Sequence, residues 1–279
     1  ALKGISSDEI KNVVISFNLK WDRIRGYIDN ISPEEKIITL ITKPMPAWIN
    51  LENSPSLFFF ENSMQFLDQP GEWYLDEKGT LYYIPREGEN IDTTLAEIPV
   101  LDELVKIEGK PDDKIKNIVF RNLSFQHTKY TMPKEGEMPQ QAAANTHAAV
   151  SINFAENITF EGCEIGNINN NAIWMKNGCV SNKIVNCYIH DTGIGGIKIG
   201  NPISPSNPSL MTENNIIENN IIHSGGYEIP TGVGIIIFHS DNNMVLHNDI
   251  ADFRYSGISV GWIWGYKPSL AKNNKSIKF

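Results

Sequence analysis

Three carboxyl-bearing residues, Asp191, Glu228 and Asp252, stand beside or between short apolar runs, close to His190 and His223. Paired carboxyl groups can cleave an acetal. One protonates the departing oxygen while the other activates water or attacks carbon, with the two about 5 Å apart for retention or about 6.5–9.5 Å apart for inversion. Trp174, Lys198, His239, Trp262, Trp264 and Tyr266 complete the chemistry-bearing set. Aromatic faces stack on sugar rings, and ammonium or imidazole donors bind hydroxyls. The pattern points to two-carboxylate acid/base hydrolysis of an oligo- or polysaccharide. Asp191, Asp252 and Glu228 are its catalytic candidates, and the six aromatic and basic residues its substrate-binding candidates. Each has a plainer reading: Asp and His favour turns, and SGISVGWIWGY at 256–266 can cover a core or face a partner. No metal ligands and no cofactor are assigned, and a structural or catalytic Ca2+ stays open.

What must position these residues is a repeat. Five phrases align on their final apolar residue: NIVFRNLSF at Phe125, NITFEGCEI at Ile165, SNKIVNCYI at Ile189, NNIIENNII at Ile222 and NNMVLHNDI at Ile250. A second phrase follows in each unit: AVSI, AIWM, GIKI, GIII and GISV. Short alternating strands with polar turns at a period near 24 predict an all-β, right-handed parallel β-helix (solenoid) over residues 102–279. Phe125, Ile165, Ile189, Ile222 and Ile250 should then stack in one column. His127, Asn167, Asp191, Ser224 and Asp252 share the next turn position, which puts Asp191 and Asp252 two repeats apart, on the order of 10 Å. That is the wide limit for inversion. Asparagine pairs such as Asn219-Asn220 fall where the chain bends, because Asn tolerates left-handed backbone and bonds turn groups.

Residues 1–101 stand outside the alignment and predict a β-rich N-terminal region, a sandwich or hairpin insert packed on the solenoid, with a hairpin over 73–85. The last residues, AKNNKSIKF, begin a sixth line and stop. The solenoid is therefore expected to be incomplete, with an open final edge met by self-association or a completing chain.

Composition narrows the partners. A formal charge of −9, with scattered Lys and Arg, excludes a nucleic-acid partner, and no apolar run is long enough for a membrane span. Cys163, Cys179 and Cys187 make neither a paired framework nor a metal motif and read as buried thiols. An extracellular or periplasmic location suits a polysaccharide substrate, although no signal peptide is visible.

With these residues in view, the chain resembles the right-handed β-helix carbohydrate-active enzymes, most closely glycoside hydrolase family 141, whose members include fucosidases and xylanases. The resemblance rests on PGEWYLDEKGTLYYIP (70–85), THAAVSINFAENITFEGCEI (146–165), HDTGIGGIKIG (190–200) and YSGISVGWIWGY (255–266). It implies a glycoside hydrolase, or its substrate-binding portion, that acts on plant-type or other complex polysaccharide. It also implies further repeats bearing an Asp-Gly-Gly-Ile-Tyr-like stretch and a second acidic motif. This sequence contains neither, which puts in doubt whether the catalytic carboxylates lie in it. Two other classes stand beside the hydrolase: a non-catalytic carbohydrate-binding or structural solenoid, and a pectate-lyase-like enzyme using Ca2+ and Arg254 or Lys198 as base.

Overall fold

The computed structural model describes residues 2–6, 9–19, 21–42 and 57–261. Runs rich in Ile, Val and Phe alternate with Asn, Gly and Asp turns, a composition that favours strands in nearly every segment. Among the described residues the helices are short 3-10 turns, at Glu9–Asn12, Met64–Phe66, Gln141–Ala143 and Pro208–Leu210. None is long and apolar enough to cross a membrane. The chain divides into two compact units, Ala1–Glu97 with Thr131–Met138, and Ile98–Tyr130 with Pro139–Phe279.

The first unit is built on a four-stranded antiparallel sheet, ordered Ile37–Ile41, Arg23–Ser32, Val14–Asn18, Leu57–Glu61. Val14, Ile15, Ile24 and Ile28 are buried in its core. Arg25 draws in the 131–138 segment: its Nε lies 3.0 Å from Glu137 Oε2, and the two backbones exchange bonds. Asp22 is buried, and that burial pushes its carboxyl up to about 6 against a backbone bond from Arg23 that lowers it. The hairpin expected over 73–85 pairs Trp73–Leu75 with Leu81–Tyr83 through a turn in which Gly79 takes φ 83°.

Among the described residues the second unit contains three parallel sheets of five or six strands, with two short two-stranded ones between them. Sheet 1 has six strands: Val105–Glu108, Ala148–Asn153, Asn171–Met175, Ile197–Ile199, Val233–Ile237 and Ser256–Val260. Sheet 2 has five: Val119–Arg121, Thr159–Glu161, Lys183–Val185, Ile216–Glu218 and Met244–Leu246. Sheet 3 has five: Ser124–Gln126, Glu164–Ile168, Tyr188–Thr192, Ile221–Gly225 and Asp249–Phe253. Strand side chains alternate faces, and the inward set, including Ile152, Ile165, Ile173, Ile189, Ile197, Ile222 and Ile235, forms one core cluster. Each such isoleucine contributes about 1.5–3 kcal/mol by leaving water.

This pairing corrects the expectation of a right-handed parallel β-helix. The described residues are mostly sheet, but they form separate parallel sheets of five and six strands laid as stacks, and the pairing closes no solenoid. The reason lies at the bends. Between sheets 2 and 3 the chain passes through Asn122, Gly162, Asn186, Asn219 and His247, with φ from 51° to 60°. Strand geometry breaks there in every repeat, so ladder bonds run between repeats and not from one sheet into the next. The linking segments pair as short two-residue strands, such as Thr212–Glu213 with Ser240–Asp241, joined through single bridges at Val180. The repeat alignment is a separate matter: Phe125, Ile165, Ile189, Ile222 and Ile250 do pair in one column.

The asparagine pairs divide two tasks. Asn214, Asn219 and Asn242 take the left-handed conformation, and the residue after each is buried. Asn215 Oδ1 accepts from the backbone and side-chain nitrogens of Asn182, at 3.0 and 2.9 Å. Asn243 Oδ1 does the same for Asn215, at 3.1 and 3.0 Å. Cys163 and Cys187 occupy the equivalent place where Asn is missing. All three cysteines are free and buried, and burial pushes the thiols of Cys179 and Cys187 up to about 12 and about 11.

Candidate active site

Every strand of sheet 3 kinks at the same place. His127, Asn167, Asp191, Ser224 and Asp252 all have φ between 47° and 63°. Left-handed backbone is uncommon for residues with a Cβ, and Asn and Asp bear it best because their short polar chains bond locally. Asp191 and Asp252 therefore sit on outward kinks, both exposed.

Around Asp191 the outer face of sheet 3 forms a hydrogen-bonded array. His190 Nδ1 lies 2.8 Å from Asp191 Oδ2, and His190 Nε2 lies 3.0 Å from Glu164 Oε1 on the neighbouring strand. Ser124 donates to Glu164 Oε2 at 2.9 Å, and Gln126 donates to Ser124 at 2.8 Å. The His190 ring stacks on Tyr188, with centroids 4.2 Å apart and planes 18° from parallel. Space for this ring comes from Gly166: a Cβ there would meet His190 Nε2 at 2.3 Å. His190 is 9% exposed and Tyr188 45%, so the imidazole is seated while the phenol faces outward.

The charges follow from these contacts. Burial pulls the His190 pKa down, and hydrogen bonds and charge from Asp191 and Glu164 more than reverse it, so the net shift is upward. Glu164 is shifted down, first by its bond with His190 and then by Ser124. On the next strands His223 Nε2 lies 3.3 Å from Asp249 Oδ1, off the hydrogen-bonding direction.

The other sequence candidates divide. Glu228, half-buried, is tied to the same corner: its N–H donates to Gly193 O at 2.6 Å, two residues beyond Asp191. Arg254 lies over Tyr227, 5.4 Å from the ring centroid. Trp174 and Lys198 belong to sheet 1 instead, and His239 follows the strand Val233–Ile237 and bridges Asn201. Lys198 is 1% exposed, and its ammonium donates to Ala143 O, Ala144 O and Thr146 O at 3.4, 3.0 and 2.7 Å. It sits 3.9 Å from the Trp174 ring centroid, while Trp174 Nε1 donates to Gly200 O at 2.8 Å. Burial, then the charge of Lys176, lower the Lys198 pKa well below the lysine range. Lys198 thus holds the 143–146 loop rather than presenting a donor outward. His239 is buried, and that burial lowers its pKa. Trp262, Trp264 and Tyr266 lie outside the described residues.

Glu164 and Tyr188 were missed as candidates. The repeat alignment carried the signal, since it puts Ser124, Glu164, Tyr188, Ile221 and Asp249 in one outward column, as the register shows. An open groove of about 590 Å3 lies elsewhere, on sheet 2 between Arg121, Glu161, Lys183, Glu218 and His247. Its wall is bridged by the Arg121–Glu161 ion pair at 2.8 Å. Of these two places sheet 3 is the better candidate, because there a fixed carboxylate array stands beside an exposed aromatic ring, Tyr188.

Comparison with known proteins bears on both units. Residues 10–86 match the GH141 insertion domain. No curated protein matches the chain. A solved structure titled "Glycoside hydrolase" superposes with a TM-score of 0.82 at 21% identity, over 95% of this chain and 54% of that one. The chain thus spans about half the length of the structure it matches, and at this identity the likeness shows the fold.

Proposed function

We propose that this chain is part of a glycoside hydrolase acting on a complex polysaccharide outside the cytoplasm, with its acid/base chemistry on the outer corner of sheet 3. Asp191 is the acid that protonates the departing sugar oxygen, and Glu228 or Asp252 is the base that activates water. Tyr188 offers a stacking face for a sugar ring. The observation that carries this reading is the fixed pairing of Asp191 Oδ2 with His190 Nδ1 at 2.8 Å on an outward kink. The insertion-domain match and the structural neighbour's title support the reaction class. Against a lyase, the Lys198 ammonium is committed to three carbonyls and is unsuited to act as its base.

The test is turnover of xylan and of fucosides by the wild type and by Asp191→Asn, Glu228→Gln and Asp252→Asn. Losing a positioned acid or base lowers turnover by about a hundredfold to ten-thousandfold. That loss is expected for Asp191→Asn and for one of the other two. Wild-type turnover in all three variants would contradict the assignment.

A further inference from the structure

Counting protons along the sheet 3 array shows that one is unaccounted for in a neutral histidine. Ser124 donates to Glu164 Oε2, and Glu164 Oε1 faces His190 Nε2 at 3.0 Å. With Glu164 ionised, that contact requires the proton on Nε2. Neutral imidazole then has only a lone pair at Nδ1, which faces Asp191 Oδ2 at 2.8 Å. With Asp191 ionised as well, two facing lone pairs do not approach so closely without a proton between them, and that proton is then carried by Nδ1. The ring is also fixed against rotation, by Tyr188 on one face and by the gap that Gly166 leaves beneath Nε2. The ionisable groups near it are Glu164 from one neighbouring strand, His223 from the other, Tyr188 and Asp191 from its own, and Asp249 on the strand beyond His223.

We propose that His190 is the proton-positioning residue of this site: Glu164 pins one proton on Nε2, and a second, on Nδ1, is relayed to Asp191 during glycoside cleavage. This rests on the hydrolase reading above. As the bond from the sugar carbon to the departing oxygen breaks, Asp191 draws the proton from His190 Nδ1 and passes it to that oxygen. Asp191 is left ionised, and His190 becomes neutral with its remaining proton still on Nε2, donated to Glu164. Water attacks the sugar carbon and loses a proton to the base carboxylate. Solvent then takes that proton from the base and returns one to His190 Nδ1, so the cycle closes with no other reactant.

Two measurements on the full chain test this. In a 15N NMR titration, the His190 ring should carry both protons at pH 6.5. The Glu164→Gln variant should lose the second proton at lower pH and no longer favour the Nε2–H tautomer. In parallel, His190→Gln should be assayed on xylan or fucosides and on 2,4-dinitrophenyl xylosides and fucosides, whose leaving groups depart without a proton. The role predicts a loss of about a hundredfold on the natural linkage and a change within about threefold on the activated one. Equal losses on both classes would make His190 merely structural and overturn the proposal. A His190 that is singly protonated in the wild type at pH 6 would overturn it as well. No wild-type turnover on any of these substrates, with the NMR signature intact, would instead overturn the hydrolase reading and the relay with it.

Discussion

At the scale of single residues, His190 and Lys198 show how burial changes what a polar side chain can do. His190 keeps its charge because two carboxylates outweigh its desolvation, and the sign of the linkage follows. A raised histidine pKa stabilises the fold fully below the ordinary value of 6.5, and that contribution is lost as pH rises through the folded value. The lowered Glu164 pKa stabilises above the ordinary 4.5 and is lost as pH falls through its folded value. The array thus contributes most between pH 4.5 and 6.5. Melting temperatures measured from pH 3 to 9 should decline less steeply above pH 6.5 for His190→Ala than for the wild type. Lys198 was read from sequence as a ligand donor, because alternation placed it outward on its strand. Alternation says nothing about a distant loop that folds over that face, and the carbonyls of 143–146 claim the ammonium. Lys198→Met removes a buried charge along with its bonds, two effects that oppose each other in global stability. The loosening should therefore be local: amide exchange should quicken in residues 139–147 while the strands of sheet 1 keep their protection.

At the scale of elements, the column of core isoleucines and the roles of the asparagines were legible in the sequence, since a residue that recurs at one repeat position needs the same neighbours each time. Asn215 accepts from Asn182 and donates to Asn243 and Cys179 O. Asn215→Ala strands buried partners on both sides and should cost about 3 kcal/mol, measured by urea unfolding. The expected solenoid is where the sequence misled: the repeat implied closure, but the left-handed residues at each bend interrupt the ladder. The pairing of Glu164 with His190 was not legible, because it depends on empty space: only a residue without a Cβ at 166 lets the imidazole reach across. Gly166→Ala should push the ring off Glu164 and return the His190 titration midpoint toward 6.5, as NMR would show.

At the scale of the whole molecule, the two units tell different amounts. Residues 10–86 carry the family likeness, yet the chemistry-bearing array lies in the second unit, on the outer face of a parallel sheet. Sequence reasoning named Asp191 through its repeat position and did not name Tyr188 and Glu164, which the same alignment places in one outward column. On the proposed function, a carbohydrate binds across that face. The most direct measurement is calorimetric titration of xylo-oligosaccharides and fucosylated oligosaccharides into the Asp191→Asn chain, with and without Tyr188→Ala. Loss of the exposed ring should weaken binding by about 1–3 kcal/mol with the fold intact. Unchanged affinity in the Tyr188→Ala chain would place the ligand elsewhere and rule out binding across sheet 3.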